Sequence, residues 1–321
     1  MRMQKRKVKS VKGLLRFRLI KLISVILAFS ILLSASTPSG ASIQPLSLHS
    51  SLYIAQGYVS GTAADFLNQG LQLIQAGRAN EAIAYFQKAT SLEPNLAPAH
   101  YNLGLALRQA GQLQPAADAF YRAIQADPKF ALAYANLGGA LLEGANWQQA
   151  GDYLQRAIEI DPKLGIAHYN LGLLRKQQRD WENAISSFKK AMEYSKNAPE
   201  PAYHLGVCYM EQGKIDKARD AFRRATKINP NYTEAHYNIG TILYNQGKYK
   251  EALESFRKSA ETNTNYPNAY YGAGLVFMQQ RQCNEAAQVF QYAFNLFNAQ
   301  QNPQWANASQ QMLQQAQACR Y

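Results

Sequence analysis

The sequence predicts an all-α solenoid of seven tandem helical hairpins closed by a C-terminal capping helix, and two regularities carry that expectation. Gly70, Gly104, Gly138, Gly172, Gly206, Gly240 and Gly274 recur every 34 residues without a slip. At fixed offsets from each glycine, apolar residues repeat at spacings of three and four, which marks one buried stripe on each of two helices per unit. A fixed period of this length belongs to stacked supersecondary units, each too small to bury its own apolar face.

The chain reaches those repeats through a segment of different character. Residues 1–21 hold nine bases (Arg2, Lys5, Arg6, Lys7, Lys9, Lys12, Arg16, Arg18, Lys21) and no acid, and residues 22–61 are uncharged. The net charge of +13 is therefore mostly in the leader, because the remainder carries 25 bases against 21 acids. Nucleic-acid binding is not expected, since phosphate affinity needs Lys and Arg clustered on one face.

Leu22 to Ala35 is an apolar run of 14 residues behind the basic stretch, the pattern of an export signal. As a helix it would span about 21 Å, short of the roughly 30 Å hydrocarbon core of a bilayer. Residues 1–41 are read as a basic leader and signal peptide, with small residues for cleavage at Ser34-Ala35-Ser36 and Ser39-Gly40-Ala41. An uncleaved N-terminal anchor is the alternative. The expected location is a periplasm or lumen, or the membrane surface if the leader stays, and membrane contact is expected through the leader alone. Residues 42–62 read as a flexible linker, and Thr62 with Asp65 three residues on has the form of a capping box that starts the first helix.

The seven repeats occupy residues 63–96, 97–130, 131–164, 165–198, 199–232, 233–266 and 267–300. Twelve residues after each glycine comes Ala82, Ala116, Ala150, Ala184, Ala218, Ala252 or Ala286, and sixteen after comes Phe86, Phe120, Leu154, Phe188, Phe222, Phe256 or Phe290. Alanine follows at nineteen in six repeats, with Ser259 in the other. Glycine on the first helix and alanine on the second are small where the helices cross, and larger side chains would pry the pair apart. Gly77, Gly111, Gly213 and Gly247 stand where the first helix must stop in a left-handed backbone, and Pro94, Pro128, Pro162 and Pro230 end the second. Thr264 and Asn298 replace that proline in the last two repeats and Pro199 comes late in the fourth, so departures are expected at helix ends. Residues 301–321 form the capping helix, with Trp305, Met312 and its alanines turned to the seventh repeat and its glutamines to water.

These residues, in this order and period, resemble the tetratricopeptide repeat family over residues 63–300, and AHYNLGLALRQAG at 99–111 is a typical run. The resemblance implies a right-handed superhelix whose first helices line a concave groove. Three residues before the glycines that groove would present Tyr101, Tyr169, Tyr203, Tyr237 and Tyr271; two before, Asn102, Asn136, Asn170, His204 and Asn238. A primary amide both donates to a carbonyl and accepts from an N–H, and tyrosine adds contact area at low entropic cost, so an extended peptide suits this surface. The row is similar to the asparagine-lined superhelix of O-GlcNAc transferase, without the glycosyltransferase domain.

The implied role is a non-enzymatic scaffold or assembly factor whose partners are one or more proteins, held through an extended segment. The family's carboxylate clamp is not expected, because Arg108 and Lys176 stand two repeats apart. The alternative is a metal-delivery or enzyme-associated accessory factor of the cell envelope, which would need clustered acids or histidines. Glu143 and Glu211 face the groove singly and read as solvated, while His100, His168 and His236 occupy a core column too widely spaced to share a metal. No nucleophile elbow, phosphate loop or metal motif is present, so neither catalysis nor a cofactor is expected. Cys208 reads as a buried thiol. Cys283 and Cys319 would meet if the last two helices pack antiparallel, and a disulfide between them is expected.

Overall fold

The computed structural model describes residues 61–319, so the leader at 1–41 and the linker up to residue 60 lie outside the described residues. Every element among the described residues is a helix. Repeat 1 holds α1 (Ala63–Gln75) and α2 (Ala79–Leu92), repeat 2 holds α3 (Ala97–Gln109) and α4 (Leu113–Ala126), and repeat 3 holds α5 (Ala131–Glu143) and α6 (Trp147–Ile160). Repeat 4 has α7 (Gly165–Gln177) and α8 (Trp181–Tyr194), repeat 5 has α9 (Glu200–Glu211) and α10 (Ile215–Ile228), and repeat 6 has α11 (Thr233–Asn245) and α12 (Tyr249–Thr262). Repeat 7 has α13 (Pro267–Gln279) and α14 (Cys283–Ala299), and α15 (Pro303–Ala318) caps it.

Each helix packs on its sequence neighbours, and first helices of several successive repeats also touch one another, most extensively α5 with α7. Second helices of successive repeats are held further apart, which puts the first helices on the inner face of the stack. The order of packing follows the order of sequence, as a solenoid requires.

The repeat glycines have a definite steric cause. A Cβ on Gly104, Gly172, Gly206 or Gly274 would lie 2.6 Å from the ring of Phe120, Phe188, Phe222 or Phe290, and one on Gly138 would lie 2.6 Å from Leu154. The aromatic ring sixteen residues on lies in the space a side chain would fill, so it is the ring, rather than the helix axes alone, that excludes larger residues. All of these second-helix residues are fully buried, as are the alanines at twelve and nineteen. Burying a Phe side chain stabilises by about 1.5–3 kcal/mol, so this column is a main source of stability along the stack. Ser259, the one exception at nineteen, donates its hydroxyl to the Thr233 carbonyl at 2.9 Å and so stays satisfied at full burial.

Helix ends follow local chemistry. Thr62 and Asp65 form a reciprocal capping box at the start of α1. Gly77, Gly111, Gly213 and Gly247 all take positive φ after the first helix, and at the equivalent position Ala145, Arg179 and Arg281 do so without being glycine. The departures fall at helix ends: α9 starts after Pro199, and α14, without the closing proline, runs on to Ala299. By contrast α12 still stops at Thr262 despite Thr264.

The cap is a continuation of the stack. Asn302 accepts from the Trp305 N–H at 3.4 Å to start α15, and Trp305 stacks on Phe297 at 5.8 Å and meets Tyr271 edge-on at 5.4 Å. Ala306, Leu313 and Ala316 complete that core with Met312 beside them. At its far end Cys319 is disulfide-bonded to Cys283, the first residue of α14, with Cα atoms 6.0 Å apart. Cys208 is a buried free thiol, and burial pushes its titration up to about 12.

Candidate functional site

The inner face is built from columns of the first helices, and its contacts cross from one repeat to the next at a sequence separation of one period plus one. Tyr101 and Asn136, Tyr169 and His204, Arg108 and Glu143, and Tyr244 and Gln279 all meet in this way. The extra residue reflects the helix rotation between stacked hairpins.

The tyrosines are wedges. Tyr101, Tyr169, Tyr203, Tyr237 and Tyr271 each lay a ring against the core aromatic of their own repeat, at 5.5–6.1 Å. Four of them also meet an aromatic at or near the start of the next first helix: Tyr101 with Phe130 at 4.9 Å, Tyr203 with Tyr232 at 5.0 Å, Tyr237 with Tyr266 at 5.7 Å, and Tyr271 with Trp305. Tyr271 is buried and the others keep a partly open edge toward the groove. Burial raises the phenol pKa of Tyr101 and Tyr271 to about 12 and pushes Tyr169 and Tyr203 up as well, so all four stay neutral donors.

The asparagines do not form equal rungs. Asn102 and Asn238 are half-buried and donate to the carbonyls of Pro98 and Glu234 in their own helices, at 2.8 and 2.9 Å. Asn136 is buried: its amide donates to Leu132 at 2.9 Å and Tyr101 at 3.3 Å, and its oxygen accepts from Arg108 at 3.5 Å. Asn170 is buried too and donates to the Ala135 carbonyl of the preceding repeat at 3.0 Å. That crossing needs Gly139, whose missing Cβ would stand 2.9 Å from the Asn170 amide nitrogen. Asn136 and Asn170 thus hold neighbouring repeats together, and Asn238 also engages the Tyr203 hydroxyl of the preceding repeat, whereas Asn102 keeps unspent polar capacity toward the groove.

Charges in the groove are more organised than their spacing implied. Glu143 is not a solitary solvated acid, because the Arg108 guanidinium clasps both its oxygens at 2.5 and 3.2 Å. Glu211 keeps a buried oxygen without a hydrogen-bond partner, and its pKa is raised by burial against the opposing pull of Arg179 and Lys176. His204 lies between Tyr169, Phe188 and Tyr203 with a buried, unpartnered Nδ1. Burial first and the Lys176 ammonium second hold its pKa well below 6.5, so it is neutral in the fold. The unfolded chain then binds one more proton below that value, and stability falls as pH drops through about 6.5. The slope is at most ~1.4 kcal/mol per pH unit for one proton. Acid melts of His204→Asn should lose that component, and an unchanged acid limb would refute the assignment.

His100, His168 and His236 contribute to the repeat junctions. Each ring Nε2 lies 2.8 Å from the carbonyl of Pro94, Pro162 or Pro230, and because a carbonyl only accepts, that nitrogen carries the proton. Tyr270 does the same to Thr264 at 3.2 Å. No group of three or more His, Cys, Asp or Glu side chains among the described residues converges as metal ligands, and no described helix is long and apolar enough to cross a membrane.

Residues absent from the sequence-based site are Phe130, Tyr232 and Tyr266, eight before the glycine, and Glu200 and Glu234, six before it. Their signal was the same period read at two further offsets.

Hairpins stacked in sequence order around a continuous inner face define an α-helical repeat solenoid. The chain belongs to the tetratricopeptide repeat family: residues 44–265 match the profile of the cilia and flagella-associated protein 70 C-terminal domain, a repeat region of this kind, and residues 237–303 match a tetratricopeptide repeat profile. Members of the family commonly bind protein partners, including peptides. No curated protein matches as a relative. Among solved structures, the anaphase-promoting complex assembly Cut9-Hcn1 is similar with a TM-score of 0.62 at 21% identity over 67% of this chain, which spans 43% of the length of that one. PilF of Pseudomonas aeruginosa is similar with a TM-score of 0.57 at 19% identity over 64% of this chain and 94% of that one. YrrB, described as a repeat protein with an unusual peptide-binding site, shares 25% identity over 61% of this chain and 99% of its own, with a TM-score of 0.49.

Proposed function

We propose that this protein is a non-catalytic scaffold that holds an extended segment of a partner protein along the inner face of repeats 2 to 6, outside the cytoplasm. The observation that carries the reading is the row of half-open tyrosine edges at Tyr101, Tyr169, Tyr203 and Tyr237, interrupted by Ala135 in repeat 3 and flanked by the part-free amide of Asn102. Amides alone are insufficient. At ~1 kcal/mol net for each hydrogen bond, they barely match the ~2–5 kcal/mol needed to order a flexible peptide. The neutral tyrosines supply the remaining contact area. The leader supports export or tethering, which cell fractionation tests by following the mature N-terminus.

Crosslinking in the native host identifies the partner. Asn102→Ala should weaken its capture about fivefold at unchanged melting temperature. Asn170→Ala should instead lower stability by ~1 kcal/mol through the lost bridge between repeats. Equal capture by Asn102→Ala would end the reading.

A further inference from the structure

We infer that the groove over repeats 4 to 6 is built for a partner segment carrying a lysine or arginine, with Glu200 and Glu234 as its counter-charges and the Tyr203 and Tyr232 rings as its walls. The inference deepens the scaffold reading above and rests on it.

The first support is how charge is distributed. The inner-face columns, at −6, −3, −2, +1, +4 and +5 from the repeat glycines, carry two bases, Arg108 and Lys176, against four acids, Glu143, Glu200, Glu211 and Glu234. The rest of the folded region is net basic, since residues beyond the leader hold 25 bases and 21 acids. The groove therefore has the opposite sign to the surface around it. Arg108 is occupied by Glu143 in a two-point contact, and Lys176 stands opposite Glu211. Glu200 and Glu234 have no ion-pair partner among the described residues. Each lies in the first turn of its helix, where the backbone N–H groups favour a carboxylate, so neither needs a cation to be stable in the free protein.

The second support is independent of those carboxylates. Buried, unpartnered polar atoms of this stretch are His204 Nδ1, one oxygen each of Glu211 and Gln212, and Arg219 Nε, and of these residues His204 is the one in ring contact with Tyr203. In the neutral His204 ring Nδ1 accepts whenever Nε2 carries the proton. Buried polar groups without partners are uncommon and costly, and a donor-bearing ligand satisfies this one. His204 meets Tyr203 at 5.1 Å, and Tyr203 stacks on Tyr232 at 5.0 Å, so this vacant acceptor adjoins the aromatic wall. Glu200 stands one turn before Tyr203 in α9, and Glu234 two residues after Tyr232 in the first turn of α11, so sequence and helix placement bring both carboxylates to this stretch of the groove. Aromatic faces beside unpaired carboxylates suit an ammonium or guanidinium, which gains from the ring quadrupole as well as from the charges.

The test is selection of random peptides displayed on phage against the full chain, followed by affinity measurement on the recovered peptides. The expected result is a fixed lysine or arginine in the recovered sequences and a loss of about tenfold or more in affinity for Glu200→Gln/Glu234→Gln, reproduced by high salt. Charge-free control peptides should bind the double variant and the parent alike. If recovered peptides are displaced by filling the same stretch with Asn238→Trp but carry no base, or bind the double variant equally, the inference falls while the scaffold reading stands. Failure to recover any groove-binding peptide overturns both.

Discussion

Replacing Gly206 by valine should destabilise the stack by roughly 3 kcal/mol or more, among the largest effects of any single substitution in this chain. The added Cβ would stand 2.6 Å from the Phe222 ring, which is fully buried and has nowhere to retreat. Gly206→Ala separates this cause from helix propensity. In an open helix alanine stabilises by about 1 kcal/mol over glycine, so a net loss of stability at this site can come only from the ring contact. Because each repeat contacts only its neighbours, damage in the fifth should split thermal unfolding into two transitions. A single unshifted transition for either variant would refute the steric account.

Breaking the bridge between Cys283 and Cys319 should cost the seventh repeat and its cap up to about 3–4 kcal/mol on the chain-entropy estimate for a loop of this length. The consequence is local. α15 covers an apolar end made by Tyr271, Phe297 and the alanines of α14, and losing it exposes that surface. Cys283→Ser/Cys319→Ser should therefore show early amide exchange in α14 and α15 and a tendency to associate, with α1 to α10 unaffected. Non-reducing peptide mapping checks the pairing itself, and two free thiols would remove the prediction.

Much of the fold was legible because its determinants are periodic and local. Thr62 and Asp65 announced the first helix and the positive-φ glycines its end, whereas only the packing showed that each repeat glycine makes room for the large side chain sixteen residues on. Where the sequence departs from pattern, the outcome depended on neighbours. α12 stops on schedule without its proline, whereas α14 continues into an α15 that can receive it. The site was less legible, and the asparagines show why. Asn102, Asn136, Asn170 and Asn238 hold the same place in their repeats, yet Asn102 bonds within its own helix while the other three also reach across a repeat boundary.

The amino-acid sequence by itself determined the period, the hairpins, the buried columns and the residues that line the inner face, since each depends on spacing within one repeat. Only the tertiary structure decided which lining residues are already used. That depends on how closely successive first helices approach, and the approach is set across the repeat boundary. Ala135 and Gly139 are small enough to admit Asn170, Arg108 reaches Glu143, and Glu200 and Glu234 remain without a partner because no base lies one repeat away on the inner face.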